Sequence, residues 1–452
     1  MDRNGSLSLV FGFAGILLIP SLPAWSTMNF EIGRDYGVGM QAAFITEGDL
    51  NGDGNLDLAV ANQSDNSITV LINSGKGVFT LKEVPLAAGK KNPVALAIGD
   101  LDGDGRNDMV AANVQTIQSG VIPFSEGGLI LFFAKEDGTY DQVALSDRGI
   151  PSYITITDMD GDKKNDIVSG NLGELSFDLL SGGISQIDTG IEIYTNRGGR
   201  NFSNPKTVDI PGSVIQVIAG DFDKDGTQDV LGVVQGTPTY SGILLQLALQ
   251  DPNITLFKGA TGGPTPGDTA GLSHVPWSAD IADFDGDGQP DMAVALTGDS
   301  DPSNALSFLG RNASIEIYRH TDNGFVSVQS VPVPGIAYWV MAQDFNLDGK
   351  IDLAVTTEEV IGSGQNIDMI PHLLIYENQG GNFVLAQTLN MDYNLPRYAV
   401  AGDFDKDGDV DIAVMSTIVD ATAGFGTNQP VNGNVRVFFN NAKTRVGDWA
   451  LY

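Results

Sequence analysis

The chain contains no cysteine. Disulfides, thiolate metal sites, a cysteine nucleophile and a lipid-modified N-terminal cysteine are therefore excluded. Histidine is nearly absent: His274, His320 and His372 stand apart and form no pairing motif. Zinc hydrolase chemistry and a Ser-His-Asp triad lose their central residue. Positive charge is also scarce, with 24 Lys+Arg against 57 Asp+Glu and a net charge of −33. Such a surface repels phosphate backbones, which excludes nucleic acid as a partner. After the first 20 residues no stretch approaches 18 apolar residues, so no later segment is expected to span a membrane. What is present is enough to fold. Apolar residues make up 42% of the 452, with 56 glycines and 20 prolines, which excludes a disordered chain.

The N-terminus predicts an export signal over residues 1–26. A short polar start with one basic residue, Arg3, precedes an apolar run over 7–19. Pro20 breaks the run, and Ala24-Trp25-Ser26 offers small residues for cleavage. The expectation is a secreted or periplasmic protein, including one held at the cell surface, with no membrane span once the signal is removed. Without cysteines, such a protein needs another staple.

One nine-residue phrase recurs seven times over residues 27–452. It begins at Asp49, Asp100, Asp158, Asp221, Asp283, Asp344 and Asp403, at intervals of 51 to 63 residues. Seven units of that length leave no room for a second domain. A short apolar run precedes each phrase, as in Val94-Ala-Leu-Ala-Ile98, and another follows, as in Leu58-Ala-Val60. A third run alternates, as in Ile315-Glu-Ile-Tyr318, and usually ends in Asn and Gly. A fourth opens on an aromatic: Phe79, Phe202, Phe325 or Phe383. Runs of β-formers between Gly, Asn and Asp are strands. Four strands repeated seven times predict an all-β, seven-bladed β-propeller. No unit carries a helical period. The last unit lacks a fourth strand, whereas 29–36 reads as an orphan one. The expected closure joins the two ends in a single blade, which removes an open edge.

The phrase has the grammar of a calcium loop. Positions 1, 3, 5 and 9 carry side-chain oxygens, and position 7 offers its backbone carbonyl. The first copy supplies Asp49, Asn51, Asp53, Asn55 and Asp57; the second Asp100, Asp102, Asp104, Arg106 and Asp108. The third supplies Asp158, Asp160, Asp162, Lys164 and Asp166; the fourth Asp221, Asp223, Asp225, Thr227 and Asp229. The fifth supplies Asp283, Asp285, Asp287, Gln289 and Asp291; the sixth Asp344, Asn346, Asp348, Lys350 and Asp352. The seventh supplies Asp403, Asp405, Asp407, Asp409 and Asp411. Hard Ca²⁺ takes six or more oxygens, so up to seven ions are expected. Glycine at position 6 allows the sharp turn; Lys163 replaces it in the third copy, which is therefore expected to bind most weakly. Position 12 is apolar (Val60 in the first copy), which excludes an EF-hand.

With these DxDxDGxxD loops the chain resembles the FG-GAP/VCBS repeat proteins, among them the integrin α-subunit propellers. The resemblance covers all seven units. It implies that each loop joins the first and second strands of a blade and binds Ca²⁺ through the matching oxygens. The literal Phe-Gly and Gly-Ala-Pro signatures are not evident in the repeats.

Ligand expectations fall on the face opposite these loops. Long connections rich in Gly, Ser, Asn and Thr are expected between second and third strands over 114–128, 172–190, 298–313, 358–370 and 417–433. Residues 259–276 are expected to be a further long connection. Phe44, Tyr153, Trp277, Tyr338, Trp339 and Tyr398 lie at the starts of first strands, near the channel mouth. They can stack on sugar faces or simply pack between blades. Phe222, Phe284, Phe345 and Phe404, at loop position 2, read as packing residues. The function expected is a calcium-binding adhesion or recognition module for a glycan or a cell-surface protein. The alternatives are a polysaccharide lyase or hydrolase using loop acids such as Glu174, Asp178, Glu358 or Glu359, and a protein-assembly scaffold. No acid pair has motif-grade spacing, so no catalytic residue is assigned.

Overall fold

The computed structural model describes residues 28–119, 122–177, 184–187, 189–241, 246–259, 264–298, 312–321, 324–363, 366–391, 394–418 and 432–442. The export signal expected over residues 1–26 lies outside them. Seven four-stranded antiparallel sheets form the blades of a β-propeller. From the channel outward, blade I is Ala42–Gly48, Asp57–Asn62, Ser67–Asn73 and Phe79–Pro85. Blade II is Pro93–Gly99, Asp108–Ser119, Ile122–Ala134 and Tyr140–Ser146. Blade III is Pro151–Thr157, Asp166–Asn171, Gly190–Tyr194 and Lys206–Asp209. Blade IV is Val214–Gly220, Asp229–Val234, Asn253–Lys258 and Thr265–Gly271. Blade V is Pro276–Ala282, Asp291–Leu296, Ser314–Thr321 and Gly324–Pro332. Blade VI is Ile336–Gln343, Asp352–Ser363, Asn366–Asn378 and Phe383–Asn390. Blade VII is Asn394–Gly402, Asp411–Ile418, Asn432–Asn440 and, outermost, Phe30–Met40.

Second strands are covered on both faces by neighbouring blades, so all six residues of Asp57–Asn62 and of Asp291–Leu296 are buried. That is why they read as continuous apolar runs rather than as alternating ones. Outer strands bury little: Phe79–Pro85 keeps only Phe79 and Val84 inside. The core lies between blades. The aromatic at loop position 2 packs on the aromatic opening the next blade's fourth strand: Phe284 on Phe383 (5.3 Å), Phe404 on Phe79 (5.9 Å). Phe30 takes the same role against Phe345 (5.6 Å), so the N-terminal strand has a fourth strand's opening residue as well as its place.

The closure is as expected. Glu31 pairs with Phe439 and Tyr36 with Val435 across an antiparallel ladder. Arg436 donates from Nε and Nη2 to the two oxygens of Asp35, at 2.6 and 2.7 Å. A second seam repeats between blades. The asparagine ending a third strand donates to the position-2 carbonyl of the preceding blade's loop: Asn73 to Phe404, Asn196 to Leu101, Asn378 to Phe284 and Asn440 to Phe345, at 2.7–2.8 Å.

The expected long connections are largely strands. Residues 114–128 continue the blade II ladder, Gln115 pairing with Glu126. Residues 358–370 do the same in blade VI, Glu359 pairing with Ile370. Residues 172–190 contain a separate hairpin, Glu174–Phe177 with Ile184–Ile187. Blade IV has another, Thr237–Ser241 with Gln246–Gln250, which approaches the blade III hairpin. Most of 298–313 and 417–433 lies outside the described residues. The segment 259–276 is not a plain connection, because it holds the fourth strand of blade IV, with Lys258 opposite Thr265 and Ile254 opposite Ala270. An edge strand needs few apolar residues and tolerates Pro266, so it carried no strand signal.

Candidate functional site

All seven acidic phrases occupy the turn from first to second strand, on one face of the ring. Each is wound on its own carboxylates. The position-1 aspartate accepts the position-6 N–H at 2.7–3.0 Å in every copy, Lys163 included. The position-9 aspartate accepts two N–H bonds, one from loop position 2 and one from the end of the third strand, at 2.6–3.2 Å in all seven blades. Asp57, Asp166, Asp229, Asp352 and Asp411 are wholly buried in that role. Position 9 therefore staples three segments of each blade, a structural duty that its spacing alone did not reveal.

Burial pushes the carboxyls of Asp57, Asp108 and Asp166 up to about 6 and those of Asp352 and Asp411 up to about 7. Neighbouring loop carboxylates raise them further, while the backbone N–H bonds work in the opposite direction.

Five loops bring three carboxylate oxygens within 4.8 Å of one another. They are Asp100, Asp102 and Asp108; Asp158, Asp160 and Asp166; Asp221, Asp223 and Asp225; Asp283, Asp285 and Asp291; Asp403, Asp405 and Asp411. The loops of blades I and VI carry Asn51 and Asn346 at position 3, so an amide oxygen stands where the others have a carboxylate. In blade VII, Asp403 Oδ1 is buried and accepts no hydrogen bond. Hard oxygen donors, converging negative charge and an orphaned buried oxygen fit a metal ion.

Basic side chains lean on these carboxylates. Arg200 reaches Asp102 (2.8 Å), Arg319 reaches Asp285 (2.6 Å) and Lys258 reaches Asp223 (3.3 Å). At position 7 the side chains of Arg106 and Lys164 pair with the position-5 aspartates, Asp104 and Asp162, and Lys350 with Asp348 at 3.2 Å. These three can serve a metal only through the main chain. Positions 4 and 6 both adopt the left-handed conformation in every loop. Lys163 (φ 66°) is thus not alone, because Lys224, Leu347 and Lys406 hold position 4 at φ 59–61°.

FG-GAP-like repeats match residues 49–111 and 344–414, which run from the loop of blade I to the second strand of blade II and from the loop of blade VI to the second strand of blade VII. The chain is a seven-bladed β-propeller that carries FG-GAP-like repeats in these two stretches. No curated protein matches it. Among solved structures, a chain from the crystal structure of BBS1N in complex with ARL6DN, soaked with mercury, has a similar fold. Its TM-score is 0.52 at 12% identity, over 92% of this chain and 98% of that one. At that identity the likeness concerns the fold alone. No helix among the described residues is long and apolar enough to cross a membrane.

The aromatics of this propeller divide into two groups. Phe44, Tyr153, Trp339 and Tyr398 hold one equivalent position, five residues before each loop. They meet in a circuit across the channel. Phe44 lies 5.3 Å from Tyr153 and 4.9 Å from Tyr398, and Trp339 lies 5.0 Å from Tyr398 and 6.2 Å from Tyr153. Two of the other equivalent positions are polar and tie blades together. Gln216 bonds both ways with the Ala279 backbone, and Ser278 Oγ accepts the Val340 N–H. Trp277 and Tyr338 form a separate edge-to-face pair, 5.7 Å apart. Trp277 is 38% exposed, Tyr338 donates its hydroxyl to buried Glu358 (2.8 Å), and the Arg397 guanidinium lies 5.9 Å over the Tyr338 ring. Phe222, Phe284, Phe345 and Phe404 are buried, as packing residues should be.

Proposed function

We propose that this is an exported, calcium-stapled recognition module that binds a glycan or a cell-surface protein. The convergence of three carboxylate oxygens within 4.8 Å, repeated in five loops, carries the metal part of the reading. Ca²⁺ is the ion favoured, because every donor is an oxygen and no cysteine or histidine is in the loops. Positions 1, 3, 5 and 9 would hold the ion with their side chains and position 7 with its carbonyl. When bound, calcium would supply positive charge to carboxylates that otherwise repel one another. The apolar run over 7–19 and the break at Pro20 support export. The partner surface is the opposite face, where hairpins rise from blades II, III, IV and VI beside exposed Trp277 and the Arg397 guanidinium. Aromatic faces beside hydrogen-bonding groups are the chemistry of sugar recognition.

A glycan array probed with the calcium-loaded protein, with a reducing-sugar assay in parallel, tests this reading. The expected result is binding without sugar release, weakened in Trp277→Ala. Release of reducing ends would instead identify an enzyme. Elemental analysis showing no calcium retained after dialysis in micromolar Ca²⁺ would remove the metal part.

A further inference from the structure

The channel is closed by its ring circuit and open on the loop face. It leaves a funnel of about 410 Å³ whose floor includes Phe44, Tyr153 and Trp339. Its wall carries two acids, Glu47 of blade I and Asp280 of blade V, and no lysine, arginine or histidine. Asp280 is fixed in place: its two oxygens accept the Ala342 and Ile281 N–H groups, both at 2.8 Å. Glu47 forms no ion pair with any described residue. Gln343 and Thr155 add neutral polar groups to the wall.

We propose that this funnel is a binding site for a small organic cation, an amine or a quaternary ammonium. Three features point to that class of ligand. The pocket has the size of a small-molecule site. Its floor is lined by the aromatic rings of Phe44, Tyr153 and Trp339, and an aromatic quadrupole attracts a cation most strongly where water is excluded. Its only formal charges are negative and have no counter-ion among the described residues. A hard metal ion fits less well, because it needs about six oxygens converging on one point, whereas these acids stand on blades that are not neighbours. The net charge of −33 attracts cations to the molecule as a whole. The site is separate from the aspartate loops and does not depend on which ion those loops hold.

The test is titration of the full-length mature protein, in saturating Ca²⁺, with tetramethylammonium and with putrescine, followed by calorimetry and tryptophan fluorescence. tert-Butanol serves as the neutral isostere of tetramethylammonium. One saturable site is expected for at least one cation, with tert-butanol at least about tenfold weaker. Glu47→Gln should weaken the cation about tenfold and leave the melting temperature unchanged, since that carboxylate holds no other side chain. Trp339→Leu should weaken it about fivefold. Absence of saturable binding by both cations would overturn the proposal. So would equal binding of tert-butanol, or wild-type affinity in folded Glu47→Gln. A preference for putrescine over tetramethylammonium would assign the site to primary amines, and the reverse to quaternary ammonium.

Discussion

Asp35 is nearly half exposed, yet both its oxygens are held by Arg436, whose side chain is 7% exposed. The Arg436 hydrogen bonds hold the Asp35 carboxyl below its usual value of 3.8, against a smaller opposing effect of burial. The folded state therefore favours the ionised form. The stability this contributes is complete above about pH 4 and is lost as pH falls through the depressed folded value. Asp35→Ala removes two hydrogen bonds from a buried guanidinium and should cost about 1–2 kcal/mol in urea denaturation at pH 7, the exposed partner limiting the loss. Asp280 has the opposite sign. Burial raises its carboxyl from 3.8 to about 6, so the folded state holds the proton more tightly than the unfolded chain. Its contribution falls as pH rises from about 4 to 6 and is flat above. Denaturation across that window should show a shallower loss in Asp280→Asn than in the wild type. Lys163 presents a third case. Its left-handed backbone costs about 1 kcal/mol that glycine would not, so, with calcium in the loops as proposed, Lys163→Gly should tighten the third site about fivefold in calorimetry. Leu347→Gly should do the same for the sixth, because the strain is shared among loops rather than confined to one.

At the scale of the strand, what was legible depended on whether the signal was local. The Asp and Gly spacing lies within nine residues, so all seven loops were readable, as were the flanking buried strands. Phe30 was readable as the start of a fourth strand because four internal units open on the same residue. The hairpins over 174–187 and 237–250 were not readable, because Gly, Ser and Thr dilute the alternation on which a strand assignment rests. The asparagine latch was visible as a habit of third strands, but its partner lies in another blade. The four-ring circuit is wholly a tertiary fact: its members come from four blades, and only ring closure brings Phe44 to Tyr398, more than 350 residues away in the chain. The N-terminal strand tests this level directly. Deleting 29–40 should abolish the cooperative melting of the whole ring, since it opens the ladder to Asn432–Asn440 and removes Phe30 from Phe345. A synthetic peptide of the same residues should restore it. A variant melting like the wild type would show that the strand adds nothing to the ring.

For the whole molecule, calcium would act as the cross-link that the missing cysteines cannot supply. With millimolar Ca²⁺ and dissociation constants near 10 μM, each occupied loop would add about 2.7 kcal/mol. The gain accrues at seven points spaced around one face. Chelation with EGTA should therefore lower the melting temperature by tens of degrees and widen the transition, as neighbouring blades lose their coupling. An unchanged melting curve in EGTA would mean that the position-9 staples and asparagine latches hold the ring alone.

The pairing of Asp35 with Arg436 also sets a clock. The two residues are 401 positions apart. A ribosome adding about 5–20 residues per second takes roughly 20–80 s to travel between them. Throughout that interval the first strand has no partner, and its edge and the Phe30 ring are open to any other chain. Blades I to VI can assemble in order while they wait, but the ring remains an arc until the last strand emerges. Conditions that slow translation late in the message should therefore raise aggregation more than the same delay placed early.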